Sequence, residues 1–320
     1  MTDAAEAAGR TRRSVALRHF FVRLLEAAAT LWLLLTLCFF LLRAAPGGPF
    51  DQEKAAPPAV IEQLNEQYRL DQPLWQQYLG YLGDLARGDL GPSFQYPDYR
   101  VSELIAQALP VSLLTGSLAL SLSLLLGVPL GVMAALRRGR WPDRLLMFFA
   151  GLGLALPKYV VAPLLVLLFA VTLQWLPAGG WNDWRNLVLP VIALSLPNLA
   201  YAARLTRASL LEVLGQDYLR AARARGFSEV RVLFRHALRP ALLPVLAWLS
   251  PALINVVTGS IVVEQIFGIP GIGRYFVQGA LNRDYTLVMG VVLVLGVAIV
   301  VINALVDWLR EIADPRLRDA

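Results

Sequence analysis

Residues 104–136 read LIAQALPVSLLTGSLALSLSLLLGVPLGVMAAL, a run without one ionisable side chain, and Arg137, Arg138 and Arg140 close it. A bilayer core about 30 Å thick needs about 20 mostly apolar residues in a helix rising about 1.5 Å per residue. The run is therefore long enough to cross, and we place its crossing at about 106–136. Five further stretches qualify, at about 22–42, 145–176, 187–203, 241–263 and 286–306, the fourth of the six being the shortest. In the third, Pro157 before Lys158 predicts a kink. Two spans there would share a turn of almost no length and would invert every later loop. One kinked span is the reading the charges support.

Composition agrees. Of 320 residues, 57% are hydrophobic and 16% charged, below the quarter or so of charged residues usual in a soluble domain. Net charge is +6, but the arginines flank apolar blocks and no separate basic domain exists to hold nucleic acid. The single cysteine, Cys38, lies inside an apolar run and forms no internal disulfide. His19 and His236 are too few and too far apart in sequence to suggest a metal site. Arg10, Arg12, Arg13 and Arg18 before an apolar run resemble a signal peptide. That run is longer than a cleavable core and ends at Arg43, so it reads as a retained helix.

Basic residues accumulate in loops that stay in the cytoplasm. Four arginines lie before His19, four between Arg137 and Arg144, and eight between Arg204 and Arg239, the last against three acids (Glu212, Asp217, Glu229). Residues 43–103 carry five bases and nine acids, and 177–186 and 264–285 are nearly neutral. Six helices put all three arginine-rich regions on one side. The expectation is an all-α integral membrane protein: cytoplasmic tail 1–19, first span 20–42, outer-face loop 43–103, membrane core 104–306, cytoplasmic tail 307–320. Within the outer loop, Pro57-Pro58 followed by Val60, Ile61, Leu64 and Tyr68 reads as one short helix. Leu74, Trp75, Tyr78, Leu79, Leu82 and Leu85 read as a second, stopped by Gly88 and Gly91-Pro92. The loop is either a cap on the bundle or a docking surface for an extracytoplasmic partner.

Catalytic and cofactor motifs are missing. Neither lysine (Lys54, Lys158) follows a glycine, so the chain has no P-loop for ATP, and the patterns of serine hydrolases and zinc proteases are absent. Ion-coupled carriers place carboxylates or histidines at mid-membrane depth. Here only Glu26 and Lys158 interrupt apolar runs; Glu26 reaches the interface or Arg23, and Lys158 lines a polar path or faces a partner helix. Gly127 and Gly131 are spaced for close helix approach.

The cytoplasmic segment 204–240 is the most informative. Leu210, Leu211, Leu214, Tyr218, Ala221 and Ala222 recur at helical spacing, with Glu212, Asp217, Arg220 and Arg223 off that face. Gly226 ends the helix, and Ser228 can cap a second through Val230, Leu233 and Phe234. Two short helices at a glycine form either an interfacial amphipathic pair or a knob for a partner's groove.

At this segment the chain resembles the permeases of binding-protein-dependent ABC importers. The resemblance lies in Asp217-Tyr218-Leu219-Arg220-Ala221-Ala222-Arg223-Ala224-Arg225-Gly226-Phe227, which looks like their Glu-Ala-Ala loop, and continues through His236-Ala237-Leu238-Arg239-Pro240. Arg220 replaces the motif's glutamate, as is typical of the dipeptide, oligopeptide and nickel branch. Leu70-Asp71-Gln72-Pro73, Gly88-Asp89-Leu90-Gly91, Gly259-Ser260 through Glu264, Gly268-Ile269-Pro270-Gly271-Ile272-Gly273 and Asn282-Arg283-Asp284-Tyr285 agree with that branch. Ala45 to Phe50, Gly91 to Phe94 and Leu176 to Trp181 look closest to the B-type permease subunit of oligopeptide importers.

The resemblance implies a type I importer permease without catalytic residues or a cofactor of its own. ATP and Mg would be bound by two cytoplasmic ABC ATPases. The other implied partners are a homologous second permease, an extracytoplasmic peptide-binding protein, the oligopeptide itself and membrane lipids. Asp217, Tyr218, Arg220, Ala221, Ala222, Arg225, Gly226 and Phe227 would meet the ATPase. Lys158, Asn255 and Glu264 are candidates for the translocation path, because polar groups in or beside spans usually face a pore or a partner. Dipeptide or nickel import is the nearest alternative, and an ion-coupled secondary transporter the remote one.

Overall fold

The computed structural model describes residues 2–50, 62–63, 65–66 and 68–313. The short helix expected after Pro57-Pro58, through Val60, Ile61 and Leu64, lies outside these residues, as does the chain from 314 onward. Among the described residues the only extended pairing is an isolated bridge between Pro92 and Arg100. The rest of the regular structure is helical.

The chain divides into two compact units: residues up to 102 together with 279–300, and residues 103–278 together with those from 301 on. In the first unit, helix α1 runs unbroken over Thr2–Ala44, so the expected tail and first span are one helix. Helix α2, Leu74–Ala86, starts after Pro73, where the fixed φ and missing N–H suit a helix entrance. It packs on the end of α1. Tyr78, Tyr81 and Leu85 surround Phe39, and Tyr78 Oη and Thr36 Oγ1 share a 2.6 Å hydrogen bond. Arg43 Nε donates to Gln77 at 2.9 Å while its guanidinium lies 3.6 Å from the Phe39 ring centre.

The second unit holds α3 (Val101–Leu136), α4 (Trp141–Ala155), α5 (Lys158–Leu165) and α6 (Val188–Leu214). The arginine-rich loop, α10 (Leu243–Phe267) and most of α11 (Ile272–Leu281) belong to it too, while α12 (Tyr285–Ala313) counts its residues up to 300 in the first unit and the rest in the second. Its core joins Ala119, Ala162, Leu189, Ala193, Leu194, Val263, Phe267 and Ile269, drawn from α3, α5, α6, α10 and the turn after α10. The glycine pair of α3 does what its spacing predicts. A Cβ on Gly127 would stand 2.8 Å from the Leu199 carbonyl oxygen, and one on Gly131 would stand 2.5 Å from that of Ala203. No side chain fits between these helices.

Among the described residues, five helices are long and apolar enough to cross a membrane: Phe21–Ala44, Val101–Leu136, Trp184–Leu214, Leu243–Phe267 and Tyr285–Val306. A sixth crossing comes from Trp141–Ala155 with Lys158–Thr172, if that pair is one span. The fourth stretch, the shortest in sequence, is a helix of 31 residues that continues past Arg204 and Arg207. No glycine or proline interrupts it between Pro197 and Gly215, and Arg207 has a buried partner. The kink expected at Pro157 is a 105° bend. Leu156 and Pro157 are both extended, which ends the helix there rather than tilting it.

Candidate functional site

The segment expected to meet a partner is built from α6 onward. Gly215 ends α6 and resets the helical phase, so the apolar face projected from Leu210 across to Tyr218 and Ala221 does not continue. Helix α7, Asp217–Ala224, buries Leu219, which the sequence spacing left off that face, together with Ala222, which it had placed there. They join Leu210, Val232, Ala237, Ala241 and Ala135 in a small apolar core. Tyr218 stays largely outside, its hydroxyl donating to the His236 carbonyl at 3.3 Å. Ala221 is exposed.

The turn after α7 closes with Gly226 N–H donating to Arg223 O at 2.9 Å. Gly226 has φ +84°, the left-handed region that favours glycine. A Cβ there would meet no atom within 4 Å, so the demand on this position from within the chain is purely backbone. Ser228 then caps α8, Glu229–Arg231, by accepting from Arg231 N–H. A π-helical turn, Val232–Ala237, and α9, Leu238–Ala241, complete the return. Phe227 stacks on His236 with ring centres 5.6 Å apart, and the Arg231 guanidinium lies 5.5 Å from the Phe227 ring. Ion pairs Asp217–Arg220 (2.7 Å) and Arg223–Glu229 (2.9 Å) tie the surface. Val230 and Phe234 of the expected second helix are 67% and 64% exposed, and Val232 is the buried residue. The knob therefore presents Tyr218, Val230 and Phe234 outward above a core of alanines and leucines.

Two of the three path candidates meet. Lys158 Nζ donates to the Asn255 carbonyl (3.2 Å) and to Asn255 Oδ1 (3.0 Å) at the 105° bend. Glu264 is elsewhere and fully buried. Its Oε1 accepts from Ser112 Oγ (2.7 Å), its Oε2 accepts from Gly273 N–H (2.8 Å), and Ser112 Oγ accepts from Ile272 N–H (2.9 Å). Together Glu264 and Ser112 satisfy the first amide groups of α11, whose N-terminus favours negative charge. The glycines of Gly268-Ile269-Pro270-Gly271-Ile272-Gly273 make room for this: a Cβ at Gly271 would stand 2.3 Å from the carboxylate and one at Gly273 2.9 Å.

Two further carboxylates escaped the sequence reading. Asp284, also fully buried, accepts from Phe94 N–H (3.0 Å), Gln95 N–H (3.1 Å), Leu287 N–H (3.0 Å), Thr286 Oγ1 (3.0 Å) and the Ser93 hydroxyl. It caps α12 and pins the Gly91-Pro92-Ser93-Phe94 turn at once. Asp143 accepts two hydrogen bonds from Arg207 (2.6 and 2.8 Å) and one from Gly139 N–H. Only the Asp284 position lay inside a recognised motif; for Asp143 and Arg207, 64 residues apart, no sequence signal linked the pair. Arg207→Met should strand a carboxylate that is 4% exposed and lower stability by about 2 kcal/mol, with Asp143→Leu in the same chain restoring part of it. Thermal unfolding of the single and double variants in detergent measures both.

These features define a helical membrane subunit with an arginine-rich loop of short helices. Residues 127–319 match the family described as binding-protein-dependent transport system inner membrane component, and the chain belongs to it. It is a multi-pass inner-membrane permease. It is 48% identical over 305 residues to the oligopeptide transport system permease protein OppB of Haemophilus influenzae, covering 94% of this chain and 99% of that one. The Salmonella typhimurium OppB is 49% identical with the same coverage. The dipeptide transport system permease protein DppB of Bacillus subtilis is 40% identical over 94% of this chain and 98% of its own. Among solved structures, an inward-facing MetNI methionine ABC transporter chain aligns with TM-score 0.54 at 17% identity, over 67% of this chain and 97% of that one. An amino acid ABC transporter chain aligns with TM-score 0.51 at 20% identity, over 66% and 94%. These two likenesses show a shared fold.

Proposed function

We propose that this chain is one of two homologous membrane subunits of an ATP-driven oligopeptide importer. Identity to OppB proteins near 48% along almost the whole chain, against 40% to a DppB, supports oligopeptides over dipeptides. Both termini and loop 204–240 face the cytoplasm, and 43–103 faces outward toward an extracytoplasmic peptide-binding protein; the arginine distribution supports this orientation. The type I permease fold supplies half of the translocation path, and Lys158 and Asn255 border it. Glu264 holds α11 in place rather than touching cargo, because both carboxylate oxygens are spent inside the chain.

Asp217, Tyr218, Arg220, Ala221, Arg225, Gly226 and Phe227 form the surface that meets a cytoplasmic ATPase, and Ala222, buried beneath them, supports it from the knob's core. ATP and Mg are bound by that partner. The protruding knob with its outward Tyr218, Val230 and Phe234 supports that role. Coupling requires the knob to bind the ATPase differently in its two nucleotide states, since only a differential affinity shifts the conformational equilibrium.

Uptake of labelled peptides of graded length by cells lacking and regaining this chain tests the reading. Peptides longer than two residues should accumulate only when the chain is present. Uptake of dipeptides alone would replace the substrate class. Uptake by the purified chain driven by an ion gradient would overturn the ATP-driven reading altogether.

A further inference from the structure

We infer that helix α2, Leu74–Ala86, is a membrane-lying helix that inserts Trp75, Leu79, Leu82 and Ala86 into the lipid at the outer end of α1. On a helical projection of about 100° per residue, α2 has one broad apolar arc running from Leu74 and Tyr81 through Leu85, Tyr78, Leu82, Trp75 and Ala86 to Leu79. Only its first part is spent within the protein: Tyr78, Tyr81 and Leu85 pack around Phe39. The remaining part has no cover in this unit, with Trp75 61% and Leu79 58% exposed. Gln76, Gly80, Gly83 and Asp84 occupy the opposite arc, and Asp84 faces Arg69 and Arg87 there.

Depth identifies the occupant. Tyr78 bonds to Thr36, which lies eight residues before the end of α1, or about 12 Å along its axis. The same tyrosine ring sits 5.6 Å from Phe40, a 44% exposed residue of the spanning stretch Phe21–Ala44. Leu37 and Leu41 beside it are 54% and 69% exposed. The uncovered stripe of α2 is thus continuous with a face of α1 already at bilayer depth. An amphipathic helix at an interface buries its apolar face by about 5–10 Å, and tryptophan concentrates at that level. The helix anchors its end of the first span to the surface of the membrane whichever side that end faces, so the inference does not depend on the transported substrate or on the direction of transport.

The test places a nitroxide label on single cysteines, Trp75→Cys, Leu79→Cys or Gln76→Cys, in a Cys38→Ser background, with the whole transporter in lipid nanodiscs. Cys38 is the one native cysteine. Collision with oxygen, which partitions into lipid, is compared with collision with a water-soluble nickel chelate. The oxygen-to-chelate ratio should be several-fold higher at 75 and 79 than at 76. Equal, chelate-dominated ratios at all three sites would overturn the inference. Shielding of 75 and 79 from both reagents would overturn it as well, because a protein partner would then cover the stripe. Both side chains are exposed, so the substitutions suit the fold, and the Leu79→Cys label answers the question even if the Trp75→Cys protein fails to assemble.

Discussion

Gly226→Trp is expected to abolish peptide uptake while the protein still inserts and assembles in the membrane. Two effects act together. A non-glycine residue at φ +84° costs about 1–2 kcal/mol locally, enough to deform the turn between α7 and α8. The indole also occupies space that no atom of this chain fills, which is where a partner's groove would close over the knob. Gly226→Ala separates the two, since it carries the backbone cost with almost no bulk. Alanine should lower uptake partly and tryptophan remove it, at equal membrane abundance. Wild-type uptake by the tryptophan variant would end the case for docking at this turn, as would reaction of an Arg225→Cys thiol only with reagents confined outside the cell.

Asp284→Ala should be the most destabilising single change in the first unit. Five donors converge on this carboxylate from the Ser93–Gln95 turn and from the first turn of α12. Alanine leaves buried amide and hydroxyl groups without an acceptor, for a loss of about 3–5 kcal/mol after relaxation. The fold has two anchors on one atom group, so both should fail together. Trypsin should then cut at Arg87 or Arg100, and the unfolding midpoint in detergent should fall. Asp284→Asn retains one good acceptor and should lie between wild type and alanine. An alanine variant with unchanged melting and unchanged proteolysis would show that the turn is held by other contacts.

The spans were legible because their signal is compositional: an uncharged run such as 104–136 has no soluble alternative. The glycine pair of α3 was equally readable, since a four-residue glycine spacing has one steric meaning on a helix. The knob was legible in place but not in phase. Gly215 interrupts the 3.6-residue period, and a break of two residues is enough to turn Tyr218 and Ala221 outward and Leu219 inward, while Ala222 keeps its expected place. The buried carboxylates were the hardest to read. Whether Glu264 faces a path or caps a helix depends on where α11 begins in space, and Asp143 finds Arg207 only after α4 and α6 pack. A single sequence carries no periodicity that encodes such long-range pairs.

The break at Pro157 has an electrical corollary. If Trp141–Ala155 and Lys158–Thr172 are one span and lean equally to share the 105° turn, the two fifteen-residue segments together climb about 25 Å, close to the thickness of the hydrocarbon layer. Their junction would then fall at the midplane, where unpaired peptide groups and a lysine ammonium are least tolerated unless water or protein surrounds them. The Asn255 carbonyl and side-chain oxygen supply that company for the Lys158 ammonium. A proline written into an apolar run would thus set how deep in the bilayer a charged group finds its polar partner.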